Sequence, residues 1–261
     1  MLIEKTMFGI RDKVKDAIEF LQSYEPEDGY YLAYSGGKDS TVLLDLARRS
    51  GVKFDVHYNL TTVDPPELVY FIREQKDVII ESPEKTMWEL IVEKGMPPLR
   101  HVRYCCQILK ERGGLGRKVL TGVRRAESVR RSKHQQVETC FKDGTKQYFH
   151  PIFYWSDADV WEYIRSRGIP YCSLYDEGFK RLGCICCPMS SNQIKEGERW
   201  PKYKAQYIRT FQKMVDKKIA DGFDVGDWRT GQDVWNWWTT PYAIIKQIKD
   251  RKEHPQVMFF E

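Results

Sequence analysis

The sequence predicts an α/β fold, a parallel sheet flanked by helices, with a mainly helical extension at the C-terminal side. Three observations carry this. Residues 30–33 form a short apolar run that enters a Gly36-Gly37 turn, an amphipathic helix (41–49) and a second strand candidate (53–58); a strand, a helix and a strand of these lengths make a right-handed parallel unit. Further strand candidates lie at 77–80, 118–123 and 147–152, with a helix at 85–94 between the first two. Beyond about residue 190 the pattern becomes helical and rich in tryptophan.

Composition bounds the function. A chain of 261 residues, 41% hydrophobic and 30% charged, suits a folded protein with a sizeable core. No stretch has signal-peptide composition or the length to span a membrane, so a cytoplasmic protein with no membrane partner is expected. The net charge of +5 is uneven: residues 100–133 carry eleven Lys and Arg against two acids, which points to an anion site more than to a uniformly basic surface. Seven cysteines without an export signal favour metal or redox use over a disulfide framework.

Taken in order, residues 7–24 place Ile10, Val14, Ala17, Ile18 and Leu21 near a helical period, so a helix is expected before the first strand. Residues 30–40, Tyr-Tyr-Leu-Ala-Tyr-Ser-Gly-Gly-Lys-Asp-Ser, then read as a buried strand, a glycine turn and a helix start. Gly36 and Gly37 permit positive φ and close approach to main-chain amides, and the helix start favours an anion. Lys38, Ser35 and Ser40 add a mobile charge and two hydroxyls, and Asp39 opens the helix, so a phosphate cradle follows. Because Asp39 follows Lys38, this is not the P-loop of kinases and GTPases.

After the second strand, Thr61, Thr62 and Asp64 are short polar groups suited to a ribose or base, with Asp64 as a plain helix cap the competing possibility. Pro65-Pro66 fits a rigid helix start. A third strand at 77–80, a helix at 85–94 and a loop at 95–100 lead to Cys105-Cys106, and residues 118–123 form a strand ending in Gly122. Directly beyond lie Arg124, Arg125, Arg130 and Arg131. Buried guanidinium groups need anionic partners, so these are either in water or on an anion, with Glu127 and Ser128 able to position them. Ser156 or Asp157 caps a helix over 158–167, a further helix covers 195–219, and a Lys-rich helix is expected at 241–252. Trp228, Trp235, Trp237 and Trp238 either build the core of a small helical subdomain or stack on nucleic-acid bases.

The Ser-Gly-Gly-Lys-Asp-Ser run resembles the PP-loop of the adenine nucleotide α-hydrolase group, the ATP pyrophosphatases and sulfonucleotide reductases. Gly122 to Ser128 resembles the Gly-x-Arg-Arg-x-x-Ser element of the phosphoadenylyl-sulfate reductase family. Residues 174–184, Leu-Tyr-Asp-Glu-Gly-Phe-Lys-Arg-Leu-Gly-Cys, are similar to a run of that same family, so the resemblance covers residues 30–190. It divides the chain into an N-terminal helix (1–27), a PP-loop domain (28–190) and a helical Trp-rich segment (191–261).

The resemblance implies an adenine nucleotide, ATP or a phosphosulfate (PAPS or APS), with Mg2+ if the ligand is ATP. It implies binding by residues 35–40, Thr62, Asp64, Gly122, Arg124, Arg125, Glu127, Ser128, Arg130 and Arg131, and chemistry supported by Lys38, Asp39, Arg124 and Arg125. Replacing Lys38 or Arg124 by alanine is then expected to abolish nucleotide binding without unfolding. A Cys-Cys pair followed by Cys-x-x-Cys resembles the [4Fe-4S] subgroup, making Cys105, Cys106, Cys184 and Cys187 the ligands of a cluster, with zinc the alternative. Cys186 lies inside the second pair, and Cys140 and Cys172 read as ordinary buried thiols.

The resemblance fails at one point: those reductases form their sulfur intermediate on a C-terminal cysteine, and no cysteine follows Cys187 here. This tilts the expectation toward adenylylation of an unknown acceptor, as in sulfur insertion into nucleic acid. Two other classes stand beside the enzyme: a noncatalytic nucleotide or redox sensor that engages a partner protein through the C-terminal segment, and a nucleic-acid-binding accessory factor.

Overall fold

The first helix starts at Lys13, six residues later than its apolar period suggests. The computed structural model, which describes residues 1–7, 9–140 and 144–240, opens with an antiparallel hairpin, β1 (Ile3–Thr6) and β2 (Gly9–Asp12), followed by α1 (Lys13–Ser23). Asp12 decides the boundary, because its carboxylate accepts hydrogen bonds from the amides of Val14 (2.9 Å) and Lys15 (3.2 Å) and ends the strand as it caps the helix.

The elements that follow are β3 (Tyr30–Ala33), α2 (Lys38–Ser50), β4 (Phe54–Asn59), α3 (Pro66–Arg73), β5 (Val78–Glu81), α4 (Met87–Lys94), β6 (Lys118–Leu120), β7 (Val137–Thr139), β8 (Gln147–Phe149) and α5 (Asp157–Arg167). Beyond them lie α6 (Gln193–Arg199), α7 (Pro201–Ala220) and α8 (Gly231–Thr239). By compactness the chain forms two units, 1–83 with 109–183, and 84–108 with 184–261, whereas the sequence pattern places the divisions at 27/28 and 190/191.

The first unit holds a six-stranded sheet in the order β5-β4-β3-β6-β8-β7, parallel except that β7 runs antiparallel to β8. Strand β7 has no counterpart in the sequence pattern, since its three residues are too few to show a period. Tyr30, Tyr31 and Leu32 of β3 are buried, and α2 lays Val42, Leu43, Leu46 and Ala47 into the same core before Gly51 ends it in the left-handed conformation. From β3 the chain moves outward through β4 to β5; from β6 it moves the other way to β8. The order therefore reverses between β3 and β6, and the crevice beyond the carboxyl ends of two such strands is where open α/β sheets bind ligands.

The second unit is helical. Thr86 caps α4 through a reciprocal box with Glu89, and Tyr207, Phe211, Met214, Val234, Trp235 and Trp238 form the core. A single helix over 195–219 is not formed. The chain breaks at Trp200-Pro201 into α6 and α7, because proline contributes no amide and fits best in a first helical turn. Trp235 and Trp238 are buried, and the Trp238 indole donates to the carbonyl of Pro98 at 2.7 Å. Those two rings are thus core residues, while the expected helix at 241–252 lies outside the described residues. No helix among the described residues is long and apolar enough to cross a membrane.

Candidate functional site

The loop after β3 and the loop after β6 meet in the crevice between the two strands. Gly36 adopts φ 69°, and a Cβ there would fall 2.6 Å from Leu68 and 2.8 Å from Ile72 of α3, so glycine is required twice over. Gly37 opens α2 with no side-chain cap. Ser40 folds back instead: its hydroxyl accepts from the Ser35 amide (3.2 Å), lies 3.1 Å from the Ser35 hydroxyl and donates to the Gly37 carbonyl (2.9 Å). The amides of Gly36, Gly37, Asp39 and Ser40 have no protein acceptor among the described residues. Such a group of amides at a helix start suits phosphate oxygens.

Strand β6 is shorter than its sequence suggests. Thr121 still bonds the Phe149 carbonyl (3.0 Å), but the chain then turns so that Gly122 lies flat on the first loop. A Cβ at Gly122 would stand 2.8 Å from the carbonyl carbon of Asp39 and 3.0 Å from the Ser40 amide. Backbone touches backbone here, and only glycine permits it.

The four arginines divide. Arg124 is buried, 2% exposed; its Nε donates to Asp39 (2.6 Å), one terminal nitrogen to the Trp155 carbonyl (3.2 Å) and the other to Asp157 (3.0 Å). Its anions are therefore protein carboxylates, and the expectation that it can be removed without unfolding is corrected: losing one partner of a buried pair is strongly destabilising. Arg131 pairs with Glu127, whose carboxylate also accepts from the Arg124 amide (2.9 Å), and the Ser128 hydroxyl accepts from the Arg131 amide (3.2 Å). These contacts brace the loop. Arg125 and Arg130 are exposed, Arg125 with its guanidinium 5.7 Å from the Tyr154 ring centroid.

Two partners of the site escape the sequence pattern. Asp157, at the start of α5, bridges the Lys38 ammonium (3.0 Å) and Arg124 (3.0 Å). Partial burial works upward on its carboxyl, but the two cations outweigh it and hold it below the usual carboxylate range. Tyr175 accepts a 2.8 Å hydrogen bond from the Lys38 amide, supplying the cap that Gly37 lacks, and burial raises its phenol. Tyr175 lies within the Leu-Tyr run, whereas for Asp157 the sequence offers only a helix-cap signal.

Thr61 and Asp64 are buried, and Asp64 accepts the Thr61 amide at 2.7 Å, so its carboxylate holds the loop's own backbone. Thr62 adopts φ 65°, uncommon for a β-branched residue. At the ends of β6 and β8, the Thr121 hydroxyl lies 2.7 Å from Nδ1 of the buried His150, whose other nitrogen lies 3.7 Å from Glu138. Burial lowers His150 to about 4 against the upward pull of Glu138.

In the second unit, Cys105 is half-buried and is raised by a hydrogen bond with Cys106, by burial and by the charges of Cys106, Cys184 and Cys187. Four soft thiols from two separate segments thus gather within one unit, a donor set suited in chemistry to iron-sulfur or zinc. Among the described residues no three His, Cys, Asp or Glu side chains stand at the spacing that holds a single ion. Cys186 is set apart: it has φ 57°, its amide bonds Glu196 (2.7 Å), its thiol bonds the Gln193 carbonyl (3.4 Å), and burial raises it to about 12. Cys172 is buried and Cys140 is half-buried.

A sheet that reverses between β3 and β6, with a glycine loop and an arginine loop packed together at the strand ends, defines an open, mostly parallel α/β protein. The chain belongs to the phosphoadenosine phosphosulfate reductase domain family, whose profile matches residues 29–190. Its similarity extends to an uncharacterised protein of Methanocaldococcus jannaschii, 30% identical over 235 residues that cover 85% of this chain and 55% of the other. A second protein of that organism is 28% identical, covering 85% of this chain and 49% of its own length. The chain thus spans about half the length of these two relatives. The adenosine 5'-phosphosulfate reductase of Staphylococcus epidermidis is 29% identical over 222 residues, covering 73% of this chain and 85% of that protein. In fold, the chain resembles the phosphoadenylyl-sulfate reductase of Candida auris, crystallised as a phosphate complex, with TM-score 0.51 and 21% identity over 65% of this chain and 88% of that one.

Proposed function

We propose that this chain is an enzyme that binds an adenine nucleotide, ATP or an adenosine phosphosulfate, and acts at its α-phosphate or sulfate in sulfur transfer or sulfur metabolism. The observation that supports this reading is the seating of Gly122 on Asp39 and Ser40, which packs the arginine loop against the glycine loop. Family membership and the reductase relatives supply the ligand class.

In this mechanism the amides of Gly36, Gly37, Asp39 and Ser40 hold phosphate or sulfate oxygens, and Lys38 adds a charge at the same point. Asp39 and Arg124 clamp the two loops in register, so the donors need no rearrangement as charge develops. Arg125 and Arg130 are the guanidinium groups left to reach the ligand or its acceptor. With ATP the outcome is adenylylation of an acceptor and release of pyrophosphate, with Mg2+ as counter-ion; with a phosphosulfate, an external dithiol supplies two electrons, is oxidised to a disulfide, and sulfite and the adenosine phosphate are released. A [4Fe-4S] cluster on Cys105, Cys106, Cys184 and Cys187, or zinc in its place, would tie together the two segments of the second unit and supply a redox-active or electrostatic centre there.

Turnover tests the reading. Purified protein is offered adenosine 5'-phosphosulfate with a dithiol reductant, and ATP with nucleic-acid or protein acceptors, while sulfite and pyrophosphate are measured. Release of either, lost on Lys38→Ala, supports it; tight nucleotide binding without turnover of either substrate favours the sensor.

A further inference from the structure

Lys38, Asp39, Arg124 and Asp157 form a closed ring of alternating charge: Lys38 to Asp39 is 3.2 Å, Asp39 to Arg124 is 2.6 Å, Arg124 to Asp157 is 3.0 Å and Asp157 to Lys38 is 3.0 Å. The ring sums to zero. Exposure distinguishes its members, because the side chains of Lys38, Arg124 and Asp39 are 7%, 2% and 19% exposed while Asp157 is 63% exposed. The two cations are thus buried and Asp39 is half-buried, while the fourth group is a carboxylate that reaches both cations from the solvent side. Its backbone stands at the first residue of α5, a helix already capped by Ser156 and Asp159, so α5 does not need the Asp157 side chain for its own cap.

One carboxylate oxygen of Asp157, Oδ1, is shared between the ammonium and the guanidinium, the contacts that a single oxygen of a phosphate or sulfate would make. An anion that reaches Lys38 therefore meets Asp157 in its place and is repelled by it. We propose that Asp157 is an intramolecular counter-anion of the phosphate site, which an anionic ligand displaces from Lys38 and which sets how much negative charge the site accepts. This rests on the assignment of residues 35–40 as the phosphate cradle. It makes Asp157 a specificity-determining residue: each ligand oxygen bound at Lys38 costs the Asp157 contact, so affinity gains less from added phosphate charge than two buried cations alone would give. Asp39 has no such role, since its carboxylate is only 19% exposed and is held at 2.6 Å by the buried Arg124.

The test is calorimetric titration of the full chain with inorganic pyrophosphate and with adenosine 5'-phosphosulfate, in magnesium-free buffer. Wild type is compared with Asp157→Asn, Asp157→Glu, Lys38→Ala and the Asp157→Asn/Lys38→Ala double variant. Removing one exposed competing charge is expected to tighten pyrophosphate binding about three- to tenfold in Asp157→Asn. Asp157→Glu, which keeps the charge, should stay within about twofold of wild type, and the gain should vanish when Lys38 is absent. Circular dichroism of each variant separates folding from binding. Unchanged or weaker binding by folded Asp157→Asn, or a gain that persists without Lys38, would overturn the proposal while leaving the site assignment standing. Failure of wild type to bind either anion removes the site assignment and the proposal with it.

Discussion

Nε of Arg124 donates a 2.6 Å hydrogen bond to Oδ1 of Asp39, 85 positions earlier in the chain. The bond joins the loop after β6 to the first turn of α2, across the point where strand order reverses. Because Arg124 is buried, the contact fixes the shape of the crevice more than it advertises charge.

Arg124 and Arg125 should therefore behave differently on truncation. Arg124→Ala removes the buried guanidinium that Asp39 and Asp157 share and is expected to cost about 3–5 kcal/mol of unfolding free energy. Arg125→Ala, at an exposed position, should change stability by less than about 0.5 kcal/mol while weakening nucleotide affinity. Urea unfolding and nucleotide titration on both variants measure the split.

Gly122→Ala tests the loop contact. The added methyl would press on the Asp39 carbonyl and the Ser40 amide, neither of which can swing aside like a flexible side chain. Overpacking of this kind costs about 1–3 kcal/mol, and the displaced cradle should lose at least about tenfold in affinity for nucleotide. Thermal melting and calorimetry read the two effects.

The parallel sheet and the glycine cradle were legible because their determinants are local. A strand, a Gly-Gly turn and a helix start lie within residues 30–40; α2 carries the apolar face expected of it, α3 starts at the Pro65-Pro66 entry, and α5 is capped by Ser156. The arginine loop was legible as a basic cluster, but the pairing of Arg124 with Asp39 and Asp157 was not, since no local pattern reports a partner so far along the chain. Tyr175 capping Lys38 across 137 positions escaped for the same reason. The hairpin β1–β2 was hidden by a helical period that happens to continue through Ile10, and β7 by its brevity.

His150 gives a pH signature. Its folded-state pKa, about 4, lies below its ordinary value of 6.5, so between those values the unfolded chain binds a proton that the folded chain refuses. Stability contributed by neutral His150 is thus complete above pH 6.5 and lost as pH falls toward 4, by on the order of 3 kcal/mol. Comparing wild type with His150→Gln by denaturant titration from pH 7.5 to 4 should show the wild type losing more stability on acidification, by up to one proton in slope.

The thiols make a separate prediction. Anaerobically purified protein should contain iron and acid-labile sulfide with broad absorption near 400 nm; Cys105→Ala and Cys187→Ala should lose both, while Cys140→Ser and Cys172→Ser keep them. Stoichiometric zinc without sulfide would assign the same thiols to a different metal, and absence of both metals would remove the centre.

The central claim, that the loops after β3 and β6 hold one polyanionic ligand, is tested most directly by a crystal structure with adenosine 5'-phosphosulfate or a non-hydrolysable ATP analogue. The expected result is a phosphate or sulfate group on the amides of Gly36, Gly37, Asp39 and Ser40, within reach of the Lys38 ammonium and the arginine loop. A nucleotide bound elsewhere on the molecule, with that crevice taking no part, would contradict the account.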